Sequence, residues 1–200
     1  MILRTTPASP FGRKCKISAL ILGLMDRIEI KRADTMDPED SMRRENPLGK
    51  IPILILDDGA AIYDSRVICE YLDALAGGAN LFPAGEARWP ALTLQALGDG
   101  IIDAAILEVY EKRFRPEEKR HQDWLDYQRE KVRRGLDWLE ANIPGAQAEP
   151  DIGDVSLACT LGYLDFRFEG AWREGRPNLA AWLEGFAERV PAFGETTPHD

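Results

Sequence analysis

Residues 46–73 read NPLGKIPILILDDGAAIYDSRVICEYLD, and the order of pieces in this stretch decides the fold. Residues 53–56 form an apolar run, Asp58-Gly59 is a turn signal, and 61–63 resume a strand-like pattern, which predicts a β-hairpin. Immediately after it, residues 65–76 place Ile68, Tyr71, Leu72 and Leu75 in helical register. Two features stand out. Pro52 sits directly in front of a strand although proline gives a sheet no donor. It reads either as the opening of an edge strand, where the missing donor is harmless, or as a cis X-Pro bond that turns the preceding carbonyl and amide outward; trans is the commoner form. Asp64-Ser65 ends the hairpin where the helix begins. Either residue suits an N-cap. A helix N-terminus also attracts an anion, and an adjacent Asp attracts an ammonium, so the pair equally suits an amino acid carrying both groups. The two readings are compatible.

Working outward, Ile2–Thr5 is a short strand candidate, and Ser9 before Pro10 fits N-cap and first-turn positions of a helix. In that helix Ile17, Leu20, Ile21 and Leu24 share one face, while Cys15, Ala19 and Leu22 fall opposite. Apolar residues on both sides predict a helix sandwiched between two layers. Residues 28–31 are a second strand, and 36–45 a polar, irregular or helical connection. The order β-α-β-x-β-β-α predicts a small mixed sheet with helices on it. Residues 77–83, GGANLFP, read as a linker. Beyond them strand signals almost vanish, and helical patterns cover 86–114, 117–142, 154–170 and 177–189. Asp151 and Asp154 form a variant capping box, read as a folding device.

Bulk properties narrow the function. Two hundred residues suffice for a hydrophobic core without staples. A net charge of −9 argues against nucleic acid as partner. Basic residues nevertheless gather in the first half (Arg13, Lys14, Lys16, Lys31, Arg32, Arg43, Arg44, Lys50), which leaves room for a small anionic ligand. The three cysteines, Cys15, Cys69 and Cys159, form no C-x-x-C pair, and the histidines are His121 and His199 alone. No metal site and no Ser-His-Asp set is therefore expected. No signal-like or membrane-spanning apolar run occurs, so the expected compartment is a reducing cytoplasm. Ser9, without a base to activate it, is placed to donate a hydrogen bond to an anion such as a thiolate. Otherwise it is simply an N-cap.

Three motifs, Ser9-Pro10-Phe11-Gly12-Arg13-Lys14, Asn46-Pro47-Leu48-Gly49-Lys50-Ile51-Pro52 and Asp64-Ser65-Arg66-Val67-Ile68, occur in one order with the Asp151/Asp154 box behind them. Together they resemble the cytosolic glutathione transferases over essentially the whole chain. Within that family they are similar to bacterial serine-type members of the YibF kind, through Ser-Pro-Phe and the run Asp99-Gly100-Ile101-Ile102-Asp103-Ala104. The resemblance implies a thioredoxin-like domain, β-α-β-α-β-β-α, over 1–77 and an all-helical bundle domain over 84–200. It implies a cis Pro52, with Ile51 pairing its backbone to the cysteinyl part of glutathione. Asp64 and Ser65 would grip the γ-glutamyl ammonium and carboxylate, and Lys50 would approach the glycine carboxylate or the peptide from the side. Ser9 would hydrogen-bond the sulfur as the catalytic residue, with Phe11 as an apolar wall. The implied activity is transfer of glutathione to a small electrophile by a homodimer, without a metal. Alternatives on the same fold are a glutathione-dependent isomerase, dehalogenase or etherase, and a noncatalytic binder of glutathione or of a protein partner. Cys15 reads as buried packing, which demotes a thiol reductase. Asp99 and Asp103, one turn apart, are left unassigned: they line a cleft or interface, or are solvated acids.

Overall fold

The computed structural model describes residues 1–145 and 149–200. Four strands, β1 (Ile2–Thr5), β2 (Glu29–Arg32), β3 (Ile53–Ile55) and β4 (Ala61–Ile62), form one sheet in the order β2-β1-β3-β4. β1 and β2 run parallel, with Ile2 opposite Glu29; β3 is antiparallel to β1, with Arg4 opposite Ile53. β4 returns antiparallel beside β3 across the Asp58-Gly59 turn, where Gly59 holds a φ of 87°, a region that glycine occupies without a Cβ clash. β3 is thus an interior strand, which corrects the edge-strand reading of Pro52. The proline stands just outside the ladder, because pairing begins at Ile53. The Ile51-Pro52 and Tyr63-Asp64 peptides are cis.

Helix α1 (Pro10–Ile21) starts at Ser9, whose Oγ accepts from the Gly12 amide at 3.0 Å. A Cβ at Gly12 would meet Thr5 Oγ1 at 1.8 Å, so only glycine lets this helix start close against β1. A short helix, α2 (Met42–Glu45), follows β2, and Met42 with Ala33 and Ile53 closes one face of the sheet. The other face is covered by α1 and α3 (Ser65–Leu75), through Leu3, Ile17, Leu54, Ile68 and Leu72.

The remaining helices are α4 (Arg88–Phe114), α5 (Gln122–Ala141), α6 (Ile152–Phe168), α7 (Pro177–Arg189) and α8 (Pro191–Glu195). α6 is buried along its whole first thirteen residues, the pattern of a central helix. It packs against both α1 and α4. Gly98 permits the α4 contact, since a Cβ there would meet Ser156 Oγ at 2.9 Å and Thr160 Oγ1 at 3.0 Å. The capping box of α6 is complete: Asp151 Oδ1 accepts from the Gly153 and Asp154 amides at 2.8 and 3.1 Å, and Asp154 Oδ2 accepts from the Asp151 amide at 3.3 Å.

The stretch 77–83 is docked as well as connecting. Leu81 and Phe82 are buried, Asp73 Oδ1 accepts from the Asn80 and Leu81 amides at 3.1 and 2.8 Å, and the Leu81 carbonyl accepts from Ile152 N at 2.8 Å. One core cluster therefore runs from Leu3 of β1 through α1 to Leu157, Leu183 and Phe186. Among the described residues no helix is long and apolar enough to cross a membrane.

Candidate functional site

Two adjoining clefts open between the sheet's end and the helical half. The smaller, about 170 Å³, is lined by Asn46, Lys50, Ile51, Pro52, Asp64, Ser65, Arg66 and Asp99 among others. The larger, about 640 Å³, is lined by Ser9, Tyr110, Arg113 and Tyr163 among others. Phe11, Leu48, Lys50, Ile51 and Asp103 belong to both. All seven residues singled out from the sequence thus lie on one wall or the other: Ser9 on the larger cleft, Pro52, Asp64 and Ser65 on the smaller, and Phe11, Lys50 and Ile51 where they meet.

Local chemistry explains how each is presented. Ser9 uses an Oγ lone pair to cap α1, while its hydroxyl hydrogen has no protein acceptor among the described residues. Asp64 likewise caps α3, with Oδ1 accepting from the Arg66 amide at 2.9 Å and the other oxygen without a hydrogen-bond partner among the described residues. Ser65 is buried at the first turn of α3, where backbone amides point out of the helix end. The loop carrying Lys50 and Ile51 is held by Asn46, which donates to the Lys50 carbonyl at 2.9 Å and accepts from the Leu48 amide at 3.0 Å. Lys50 is exposed and makes no ion pair among the described residues, so its ammonium is available to a ligand.

Beneath this surface lies a charge network that the sequence reading left unassigned. Asp99 is buried, not solvated. It accepts from Lys14 Nζ at 2.7 and 2.9 Å, from Arg66 Nε at 2.8 Å and from Ser156 Oγ at 2.9 Å. Lys14 is fully buried, while Arg66 remains half in solvent. Arg13 is buried too, donating to the Phe193 carbonyl at 2.7 Å and to Thr196 Oγ1 at 3.3 Å. Both Arg13 and Lys14 are therefore engaged inside the protein, and the ligand-facing cations of the first half are fewer than their count suggested. One signal for this was available: Lys14 falls in register with Ile17 and Ile21, on the buried stripe of α1.

With Asp99 and Asp103 set among Lys14, Arg66 and Lys50, the site's electrostatics are mutual. The hydrogen bond to Asp99 raises the Arg66 pKa above its ordinary value. Asp103, at the exposed rim, is pushed up by partial desolvation first and by Asp99 second, against the pull of Arg66 and Lys50. Cys15 is fully buried 4.0 Å from Cys69 Sγ, and burial pushes its thiol well above the ordinary range, so it is no nucleophile.

Residues 3–80 match the family model for the glutathione S-transferase N-terminal domain, and residues 105–185 that for the C-terminal domain. The chain is 34% identical over 199 residues, 95% of each protein, to the uncharacterized GST-like protein YibF of Escherichia coli strain K12. This chain belongs to the glutathione S-transferase family. Among solved glutathione transferases, a family member from Pseudomonas fluorescens Pf-5 with bound glutathione superposes with a TM-score of 0.90 at 42% identity, covering 100% of this chain and 99% of that one. A Pf-5 structure with bound S-(propanoic acid)-glutathione gives a TM-score of 0.88 at 42% identity over 100% of both chains. The thioredoxin-like sheet and helical bundle seen here are the architecture of the glutathione S-transferases.

Proposed function

We propose that this chain is a glutathione transferase that binds the tripeptide in the smaller cleft, activates its thiol through Ser9, and directs it at an electrophile in the larger cleft. In this reading Asp64 takes the γ-glutamyl ammonium, and Ser65 with the free amides of α3 takes its carboxylate. The Ile51 backbone, set by Pro52, pairs with the cysteinyl part, and Lys50 meets the glycine carboxylate. Phe11 walls the junction of the clefts. The glutathione bound in the Pseudomonas relative supports this assignment. Its second structure, with a glutathione substituted at sulfur, supports a site that accommodates a thiol substituent. Residues 1–77 would supply the glutathione site and 84–200 most of the electrophile's walls, in a homodimer working in a reducing cytoplasm.

The observation that carries the reading is Ser9: a hydroxyl whose lone pair is fixed by the Gly12 amide and whose hydrogen is free, on the wall of the cleft. The energies are sufficient. A thiol of pKa about 8.5 is only a few per cent ionised at neutral pH, and lowering it by about two units takes ~2.7 kcal/mol. A hydrogen bond to a charged acceptor supplies roughly 1.5–3 kcal/mol, and the α1 N-terminus adds roughly 0.3–1 kcal/mol. The thiol proton passes to solvent, the sulfur lone pair forms the new S–C bond, and the leaving group departs with its electron pair.

The test is a glutathione titration at neutral pH followed by thiolate ultraviolet absorbance, on the wild type and Ser9→Ala. Saturable absorbance in the wild type that Ser9→Ala loses, with glutathione affinity kept within a few fold, is the expected result. Binding without thiolate in the wild type would replace the transferase reading with a noncatalytic glutathione binder.

A further inference from the structure

We propose that the larger cleft selects electrophiles carrying a carboxylate, with Arg113 and Arg167 as the residues that read it. The inference rests on the transferase reading above and names its substrate class.

The chain as a whole is acidic, with a net charge of −9. This cleft is the reverse. Its charged walls are Lys50, Arg113, Arg167 and Asp103, and of these Lys50 and Asp103 are shared with the smaller cleft. The part belonging to the larger cleft alone therefore carries two guanidinium groups and no carboxylate among its described residues. Arg113 makes no ion pair among the described residues, and its guanidinium stands 5.6 Å from the centroid of the Tyr110 ring. The cations around it are differently placed: Lys112 meets Glu108 at 3.6 Å, Arg115 meets Glu111 at 3.4 Å, and Arg129 meets Glu108 at 2.6 Å.

Arg167 stands over the Phe166 ring, its guanidinium carbon 4.1 Å from the ring centroid. One of its terminal nitrogens already holds a carboxylate, the exposed Asp200 side chain at 2.9 Å, while its Nε is buried with no hydrogen-bond partner among the described residues. A planar guanidinium matches a carboxylate's two oxygens, a geometry that an ammonium does not offer, and a ligand's carboxylate would take the place of the exposed Asp200 side chain on Arg167. Tyr163 stands on the same wall. Burial pushes its hydroxyl up to about 12, so it remains a neutral donor at physiological pH. The other walls, Ile106, Leu107 and Phe114, suit an aryl or long alkyl body, and about 640 Å³ holds a small organic molecule. Both arginines also sit in the last turns of their helices, where a cation complements the helix dipole without any ligand. The experiment separates the two roles.

Calorimetric titrations compare S-(4-carboxybenzyl)glutathione with S-(4-methylbenzyl)glutathione, which share the tripeptide and the ring and differ in the acid. The carboxylate probe is expected to bind the wild type at least tenfold more tightly, and that ratio is expected to fall towards one in Arg113→Gln and further in Arg113→Gln/Arg167→Gln. Arg113 is exposed, so the single variant keeps the test valid should Arg167→Gln disturb folding. Equal affinities in the wild type, or a preference that survives in Arg113→Gln, would overturn the proposal. Glutathione alone, titrated alongside, separates the failures. If it binds and forms thiolate while the probes bind equally, only the substrate class is wrong. If neither glutathione nor the probes bind, the transferase reading has failed with it.

Discussion

At the scale of single residues, the site depends on side chains that hold up the fold and face the cleft with different atoms. Ser9 Oγ caps α1 with a lone pair and keeps its hydrogen free, and Asp64 divides its two oxygens in the same way at α3. Such residues give an ambiguous signal in a sequence, because a cap and a ligand contact call for the same residue types. The ambiguity has a consequence for mutagenesis. Asp64→Ala is expected to weaken glutathione binding by roughly 1.5–3 kcal/mol, the loss of a charged hydrogen bond, and to cost about 1 kcal/mol of stability through the lost cap. Calorimetric titration reads the first effect and urea unfolding the second. Undiminished affinity would remove Asp64 from the binding site even if the stability loss appeared. Asp99 shows the opposite case. Its spacing from Asp103 suggested a shared face, but its cation partners lie 85 and 33 residues away, so nothing local could reveal that it is paired.

At the scale of elements, Asp99 on α4 joins α1 through Lys14, α3 through Arg66 and α6 through Ser156. Removing one partner from a buried ion pair strands the other charge in a low-dielectric interior. Asp99→Ala is therefore expected to destabilise the protein by roughly 3–5 kcal/mol. A loss near that of a surface substitution, measured by denaturant unfolding, would mean that water reaches Lys14. The α6 capping box makes a second prediction, on pH. Burial first and Asp151 second push the Asp154 carboxyl from 3.8 up to about 6, against its bond to the Asp151 amide and the pull of Arg189. A group whose folded pKa is raised contributes its stability in full below the ordinary pKa and loses it as pH rises through the folded one. Relative to Asp154→Asn, the wild type should thus lose stability between about pH 4 and about pH 7. A difference between the two proteins that stays flat across that range would show that Asp154 titrates normally. Helix existence was legible here, since caps and periodicity are local. Helix α6 was placed at 154–170 from its pattern and lies at Ile152–Phe168, because apolar residues on every side leave little periodicity to mark its ends.

At the scale of the molecule, α1 is wedged between the sheet and α6, and one hydrophobic cluster spans both halves. The halves should therefore unfold together. All five tryptophans lie beyond residue 88, so their fluorescence reports the helical half, whereas Cys15 and Cys69 are buried in the other. Tryptophan fluorescence and mass-resolved labelling of those two thiols are expected to share one denaturant midpoint. Separate midpoints would show two independent domains. The sequence by itself determined the order of elements, the sandwiched first helix, the hairpin and the capping box, together with a set of seven residues that all line the two clefts. The elements follow from periodicity and turn chemistry, which act over a few residues, and the set of seven follows from the motifs' resemblance to the glutathione transferases. Only the tertiary structure decided that β3 is interior, that Lys14 and Arg13 are buried while Lys50 and Arg113 are not, and that Asp99 closes a network across four helices. Burial and charge pairing depend on which distant segments come to rest against one another, and one chain's local pattern does not contain that information.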